Sequence, residues 1–332
     1  MTPTIICLTP VRNEAWILDR FLQATSLWAD YIIIADQMST DGSREIALKY
    51  PKVILVDNNS SSYDEAERQR LLISEARKIA GPRLLITLDA DEIFTPNVLN
   101  SEEWKAMLTA EPGTIFKFQW ANLRPDFKTF WYGYSFPWGY MDDGHEHNTN
   151  NKMHNYRIPM PLKPVATVEI NSIKVMHFQF TDWQRMESKH RWYQLMEVNT
   201  YPEKSKLEIY RQYNHMYASQ KYLEMPSEWF SDYKKWQIDL EKQVVNKKIW
   251  FDQESLKLIR QFGAKKYRKL AIWNANWKEI ATLWGEKEVK IYKDPRTLLD
   301  RMIQFWLIKT RKVQHRRFFR RLDNQIKRIF KY

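Results

Sequence analysis

The run Leu84-Leu85-Ile86-Thr87-Leu88-Asp89-Ala90-Asp91-Glu92 closes an apolar stretch with three carboxylates. The apolar residues have the pattern of a strand covered on both faces. A buried carboxylate without a partner costs several kcal/mol. The acids therefore belong at the strand's carboxyl end, where open α/β sheets place their ligands. Two Asp separated by one residue at a strand end can reach a single hard divalent cation, and that cation can clamp a diphosphate. The same residues can also do no more than cap a turn into a helix starting near Pro96.

Three further signals follow predicted strands in the first hundred residues. Thr9-Pro10-Val11-Arg12-Asn13-Glu14 follows the first, Asp36 with Ser39-Thr40-Asp41-Gly42-Ser43 the second, and Asp57-Asn58-Asn59 the third. Singly, each is a turn-former or an N-cap. Together they fall on one edge of the sheet, and strand ends on one edge build one cleft.

The elements that must carry these residues alternate regularly. Strands are expected at Thr4–Leu8, Tyr31–Ala35, Val53–Val56 and Leu84–Leu88, with helices at Glu14–Trp28, Gly42–Tyr50 and Asp64–Ala80 between them. Such alternation predicts a mostly parallel sheet with right-handed crossovers and helices on both faces. Beyond it, Thr114–Ala121 and Ile173–Phe178 read as strands. Phe127–Tyr140 holds eight aromatics in fourteen residues, which suits either a hairpin packed on a core or exposed rings offering stacking faces to a ligand. From Thr181 onward the chain reads as helical: Asp182–Asn199, Glu203–Leu223, Asp232–Val245, Gln253–Phe262 and Pro295–Lys309. Thr181 and Gln184 have the spacing of a capping box.

The ordered motifs Thr-Pro-Val-Arg-Asn-Glu, Ala-Asp-Gln-Met-Ser-Thr-Asp-Gly-Ser and Leu-Asp-Ala-Asp-Glu resemble the signature of family 2 glycosyltransferases with the GT-A fold, over about residues 3–100. The resemblance implies an α/β, Rossmann-like GT-A domain over 1–180, with a nucleotide-sugar half (1–100) and an acceptor half (101–180). A helical extension (181–308) and a basic tail (309–332) would follow. It implies a UDP- or GDP-sugar donor, with Pro10, Arg12 and Glu14 lining the nucleotide pocket and Asp36 accepting from the base. Asp89 would lie near the ribose and metal, and Asp91 would ligate Mn²⁺ or Mg²⁺. Arg68, on the helix before the fourth strand, would reach a phosphate, or else belong to a solvated helix face. Gln37 stands where family members often carry a second acid.

Inverting transfer needs a carboxylate to take the acceptor's proton. The resemblance, whose members often show a His-Glu pair in this region, implies Glu146, then Asp143, within Asp142-Asp143-Gly144-His145-Glu146-His147; the same acids also suit a solvated loop. His177, at the end of an apolar strand, is either a hydrogen-bonded core histidine or, as the resemblance implies, a late ligand to the metal or a contact to the diphosphate. The expected reaction moves a sugar to a saccharide or lipid-linked acceptor of cell-envelope polysaccharide type. A sugar nucleotidyltransferase of the same fold is the alternative, although Thr9–Glu14 lacks the glycines its loop would need. Gly is scarce, at 8 of 332, and neither GxGxxG nor a Walker A pattern occurs.

The single cysteine, Cys7, excludes an intrachain disulfide and suits a reducing compartment. The N-terminus enters a strand pattern directly, so the expected location is cytoplasmic. Net charge is +12, yet residues 309–332 alone hold ten Lys/Arg against Asp323, leaving little excess elsewhere. That confinement argues against a nucleic-acid-binding protein, the alternative from a different class. Phe318, Leu322, Ile326 and Phe330 recur every four residues among the tail's cations. This is the pattern of a basic amphipathic helix, suited to an anionic membrane surface on the cytoplasmic face or to docking on the protein itself.

Overall fold

The computed structural model describes residues 2–148, 151–242, 244 and 248–332. The first part of the chain alternates as expected: β1 (Thr4–Val11), α1 (Leu18–Thr25), β2 (Tyr31–Asp36), α2 (Ser43–Ala47), β3 (Val53–Asp57), α3 (Glu65–Ala76) and β4 (Arg83–Thr87). Next come β5 (Glu92–Phe94), α4 (Glu102–Met107), β6 (Ile115–Leu123), β7 (Thr129–Met141) and β8 (Thr167–His177). The remainder contains α5 (Trp183–Thr200), α6 (Lys206–Gln212), β9 (Leu223–Glu224), α7 (Glu228–Lys235), α8 (Trp250–Phe262), α9 (Trp277–Leu283), α10 (Leu298–Thr310) and α11 (Arg317–Phe330).

Two compact units result. The first comprises Met1–Thr181 and Tyr222–Val245, the second Asp182–Lys221 and Asn246–Tyr332. In the first, the sheet runs β3-β2-β1-β4-β7-β6-β8-β5, with β9 beside β7. Its first four strands form the expected all-parallel block and β6 also pairs β8 parallel, while β4 meets β7 antiparallel, so the whole sheet is mixed. Aliphatic residues point alternately to its two faces. Cys7, Ile32, Ile34, Leu84 and Ile86 pack toward α1, while Ile6, Leu8, Ile33 and Leu85 pack toward α3. Both faces are covered, which is why these strands read as unbroken apolar runs.

Several expected boundaries move. The helix expected over Asp232–Val245 is α7, ending at Lys235, and Leu223 lies in a strand rather than a helix. This segment returns to the first unit. Phe130 packs on Trp229 with ring centroids 4.9 Å apart, Tyr233 Oη donates to the Phe94 carbonyl at 2.8 Å, and Arg20 donates to the Leu240 carbonyl at 3.0 Å. The capping box at Thr181 does not form. Asp182 is the N-cap of α5, accepting from the Arg185 amide at 2.9 Å, while Thr181 Oγ1 turns back to the Phe178 carbonyl.

In the second unit the basic tail folds as α11, held by its own neighbours. Asp323 accepts from Arg211 Nε at 2.8 Å and Nη2 at 2.9 Å, and Ser205 Oγ donates to the Tyr332 carbonyl at 2.6 Å.

Candidate active site

The parallel register aligns the strand-end residues. Val11 lies beside Asp36, Asp36 beside Asp57, and Leu8 beside Thr87, two residues short of Asp89. Arg12, Glu14, Asp36, Asp57, Asp89 and Asp91 therefore share one sheet edge. Pro10 sits in β1 opposite Ala35. The first two loops are stitched together: the Asn13 amide donates to Ser39 Oγ (2.8 Å), the Glu14 amide to Ser43 Oγ (2.9 Å) and the Ala15 amide to Asp41 Oδ2 (2.9 Å). The Thr40-Asp41-Gly42-Ser43 run thus fixes the loop carrying Arg12 and Glu14, as well as opening α2.

Asp36 is almost wholly buried. Its Oδ2 accepts from Arg44 Nη1 at 2.9 Å and from the Ser39 amide at 3.2 Å, and Arg44 also reaches Asp57 at 2.8 Å. Its Oδ1 has no hydrogen-bond partner among the described residues. A buried acceptor left open at a strand end suits a donor group on a ligand, such as a base N–H. Gln37 makes no second acidic contact; its amide instead donates to the carbonyls of Ser60 (2.9 Å) and Ser62 (2.8 Å), fixing the loop after β3. Arg68 lies on the first half of α3, its guanidinium 5.1 Å from the Tyr63 ring centroid.

The acid run forms a tight turn. The Glu92 amide donates to the Asp89 carbonyl at 2.9 Å, and Glu92 Oε2 accepts from the Asp89 amide at 2.9 Å. Glu92 is fully buried. Trp120 Nε1 donates to its Oε1 at 2.9 Å and Arg157 to its Oε2 at 2.5 Å. Burial pushes its carboxyl up to about 7, against the opposing pull of Arg157. Arg157 also donates to Asp89 Oδ2 at 2.7 Å, while Asp89 Oδ1 has no partner among the described residues. Glu92, unassigned by the sequence, is thus the anchor of the turn, and Arg157 is a residue sequence reasoning missed.

The other half of the site comes from the strands paired with β5. Register places His177 beside both Glu92 and Asn122. His177 Nδ1 lies 2.9 Å from Asn122 Oδ1, its ring stacks on Trp120 at 4.9 Å and 11°, and its Nε2 is 3.9 Å from Asp91 Oδ2. With the Asn122 carbonyl oxygen accepting, Nδ1 carries the proton and Nε2 turns its lone pair toward the carboxylate. A carboxylate and an imidazole so placed fit a divalent cation. No cluster of three His, Cys, Asp or Glu suited to a metal occurs among the described residues, and Asp89 Oδ2 accepts from Arg157 at 2.7 Å. Gly133 leaves room for this pair: a Cβ there would fall 2.9 Å from Asn122 Nδ2.

The candidate bases are not brought to this edge. Met141 pairs with Leu84 at the start of β4, so the chain after it leaves at the sheet's opposite edge. At 3.3 Å per residue, Asp143 stands roughly 20 Å from Asp89. There Asp142 pairs with Arg77 (2.8 Å) and Arg83 (3.0 Å), and Asp143 accepts from Tyr140 Oη and from the His145 amide. Glu146 is exposed on the same loop, next to His145, whose carbonyl accepts from Arg77 at 2.7 Å. The register thus places Asp143 at the edge opposite Asp89, with Glu146 three residues farther along the same loop. The loop does return along α3: the Glu65 amide donates to the Lys152 carbonyl, and Glu65 accepts from the Asn155 amide at 3.0 Å. What it delivers to the acid turn is Arg157.

Most of the aromatic segment is packing. Phe130, Trp131, Trp138 and Tyr140 are buried, whereas Tyr134 is 81% exposed. Ring contacts lead from His177 through Trp120 and Phe136 to Tyr134, at 4.9, 4.8 and 6.3 Å.

The profile of glycosyl transferase family 2 matches residues 7–180, 174 of the 332. Among solved structures, glucosyl-3-phosphoglycerate synthase from Mycobacterium tuberculosis, in complex with Mn²⁺, UDP and glucosyl-3-phosphoglycerate, is 19% identical. That match covers 36% of this chain and 44% of that one, with a TM-score of 0.28. Mannosyl-3-phosphoglycerate synthase from Rubrobacter xylanophilus is 19% identical over 37% and 41%, with a TM-score of 0.28. The 1–349 portion of S. aureus TarS is 9% identical over 94% and 91%, with a TM-score of 0.39. The chain thus spans less than half the length of the two synthases. No curated protein matches it.

Proposed function

The chain belongs to glycosyltransferase family 2, and from that premise we propose that it moves a sugar from a nucleoside diphosphate sugar to a saccharide or glycolipid hydroxyl, with inversion. The observation that carries the reading is the shared edge, where Asp36 leaves a buried acceptor open and the Asp89–Asp91 turn faces His177. Asp36 would take an N–H of the base, a UDP or GDP base being the expected ligand. Arg12, Glu14 and Pro10 would flank the nucleotide, with Arg68 on the phosphate side.

Asp91 and His177 would hold Mn²⁺ or Mg²⁺, with the diphosphate completing the coordination. Bound there, the cation would offset charge on the departing diphosphate. Asn122 orients His177, and Glu92 with Arg157 keeps the acid turn closed. The open Oδ1 of Asp89 suits a ribose hydroxyl. The exposed ring of Tyr134, at the end of the aromatic ledge, offers a stacking face for the acceptor sugar.

The test is thermal shift with UDP, GDP, CDP and ADP, each with and without Mn²⁺, followed by nucleoside diphosphate release from the matching sugar donors. A bound nucleotide at 100 times its Kd stabilises by about 2.7 kcal/mol. Asp91→Asn should abolish the Mn²⁺-dependent part of the shift. If no nucleotide raises the midpoint with Mn²⁺ present, or Asp91→Asn keeps the full metal-dependent shift, the reading fails. The anomeric configuration of the product decides the inverting outcome.

A further inference from the structure

In the second unit, α10 turns an apolar row outward. Leu298, Met302 and Phe305 recur at i, i+4 and i+7 and are 76%, 62% and 61% exposed. An outward helix face is ordinarily polar, and contiguous exposed apolar residues mark an interaction surface. Lys309 continues the row, its ammonium 5.3 Å from the Phe305 ring centroid.

The row runs on to α11 through rings. Trp306, next to Phe305, lies 5.8 Å from Phe319, and Phe319 lies 5.4 Å from Phe318, which is 64% exposed. Phe319, Asp323 and Tyr332 are used to dock α11 within its own unit, through Trp306, Arg211 and Ser205. What α11 keeps outside is a row of cations, Arg317, Arg321 and Arg328, flanked by Phe318 and Ile329.

We propose that α10 and α11 together form a docking face for an anionic lipid bilayer, with Met302, Phe305 and Phe318 at the acyl boundary and the Arg row against the headgroups. Charge decides the occupant. Ten Lys/Arg against one acid over 309–332 fit an anionic surface, whereas a second copy would bring the same charge to the same face. The face lies within the second unit, so the proposal stands independently of the nucleotide chemistry. No helix among the described residues is long and apolar enough to cross a membrane, and attachment is by lying in the interface.

The full chain is sedimented with vesicles of phosphatidylcholine alone or containing phosphatidylglycerol, at low and high salt. Binding is expected to the anionic vesicles only and to fall with salt. Phe305→Ser and Phe318→Ser should each weaken it on the order of tenfold, and Arg317→Gln and Arg321→Gln roughly fivefold each. Met302→Gln, on the same exposed row, reads the apolar contribution independently should either Phe variant fold poorly. Equal binding to both vesicle types overturns the proposal, as does wild-type binding by the Phe305→Ser/Phe318→Ser pair with an unchanged melting curve. So does a dimer that this pair dissociates, or RNA binding that displaces vesicles and ignores the Phe variants.

Discussion

Replacing Arg157 by Met should open the acid turn, and the cost can be worked from its contacts. Arg157 lies 2.5 Å from the fully buried Glu92 and 2.7 Å from Asp89, whose side chain is 27% exposed. Removing one partner of a buried pair costs about 3–5 kcal/mol. Water reaching Asp89 screens that half, so the lower end, about 3 kcal/mol, is expected. At about 2–4 °C per kcal/mol for a unit of this size, the midpoint should fall by ~6–12 °C. The penalty should depend on pH. Burial already holds the Glu92 carboxyl at about 7 with Arg157 opposing it, so the variant's folded-state value lies higher still. A carboxyl raised on folding keeps a proton that the unfolded chain releases, and stability is lost as pH rises from the ordinary carboxylate value through the folded one. The penalty should therefore be small near pH 5, open once pH passes about 7, and be clearly larger at pH 8. Thermal or urea unfolding at both pH values measures it, and Arg157→Met/Glu92→Gln should recover part of the loss in a double-mutant cycle. A loss under about 1 kcal/mol at pH 8, or one independent of pH, refutes the account.

Asp36→Asn keeps the shape but loses the charge facing Arg44. Donor binding by calorimetry should weaken roughly 10- to 100-fold, the worth of a charge-assisted hydrogen bond, with little change in turnover at saturating donor. Asp143→Asn and Glu146→Gln should leave transfer within about threefold, as surface changes do, because the antiparallel return of β7 puts their segment at the other edge; a thousandfold loss in steady-state rate from either would restore it as the base. Asp323→Ala removes the partner of Arg211 and an acceptor for Trp306 Nε1. It should destabilise the second unit by about 3–5 kcal/mol, read as a lowered unfolding transition.

The local chemistry of the sequence determined much of the first unit. Unbroken aliphatic runs require strands covered on both faces, and acids at the ends of such runs can only sit at the sheet's edge. The alternation of strand and helix patterns made that edge common to Arg12, Glu14, Asp36 and Asp89. The residue types of Asp91 and His177 made each a candidate, but only the pairing of β5 with β8 brought them within 3.9 Å across 86 positions. Pairing direction and long-range return were not legible. No periodicity says that β7 runs against β4, yet that single reversal carries Asp143 away from the cleft and makes Asp142 a partner for Arg77 and Arg83. Arg157, in a loop without a repeating pattern, becomes decisive only because that loop follows α3 back to Glu92. The Tyr222–Val245 segment looked helical like its neighbours, but β9 and α7 belong to the first unit, where Trp229 packs on Phe130 and Tyr233 donates to the Phe94 carbonyl. The tail shows the same division. Its amphipathic spacing is local and readable, whereas the choice of Phe319 and Asp323 to face inward, with Phe318 and Arg321 left outside, depended on where α6 and α10 offered Arg211 and Trp306.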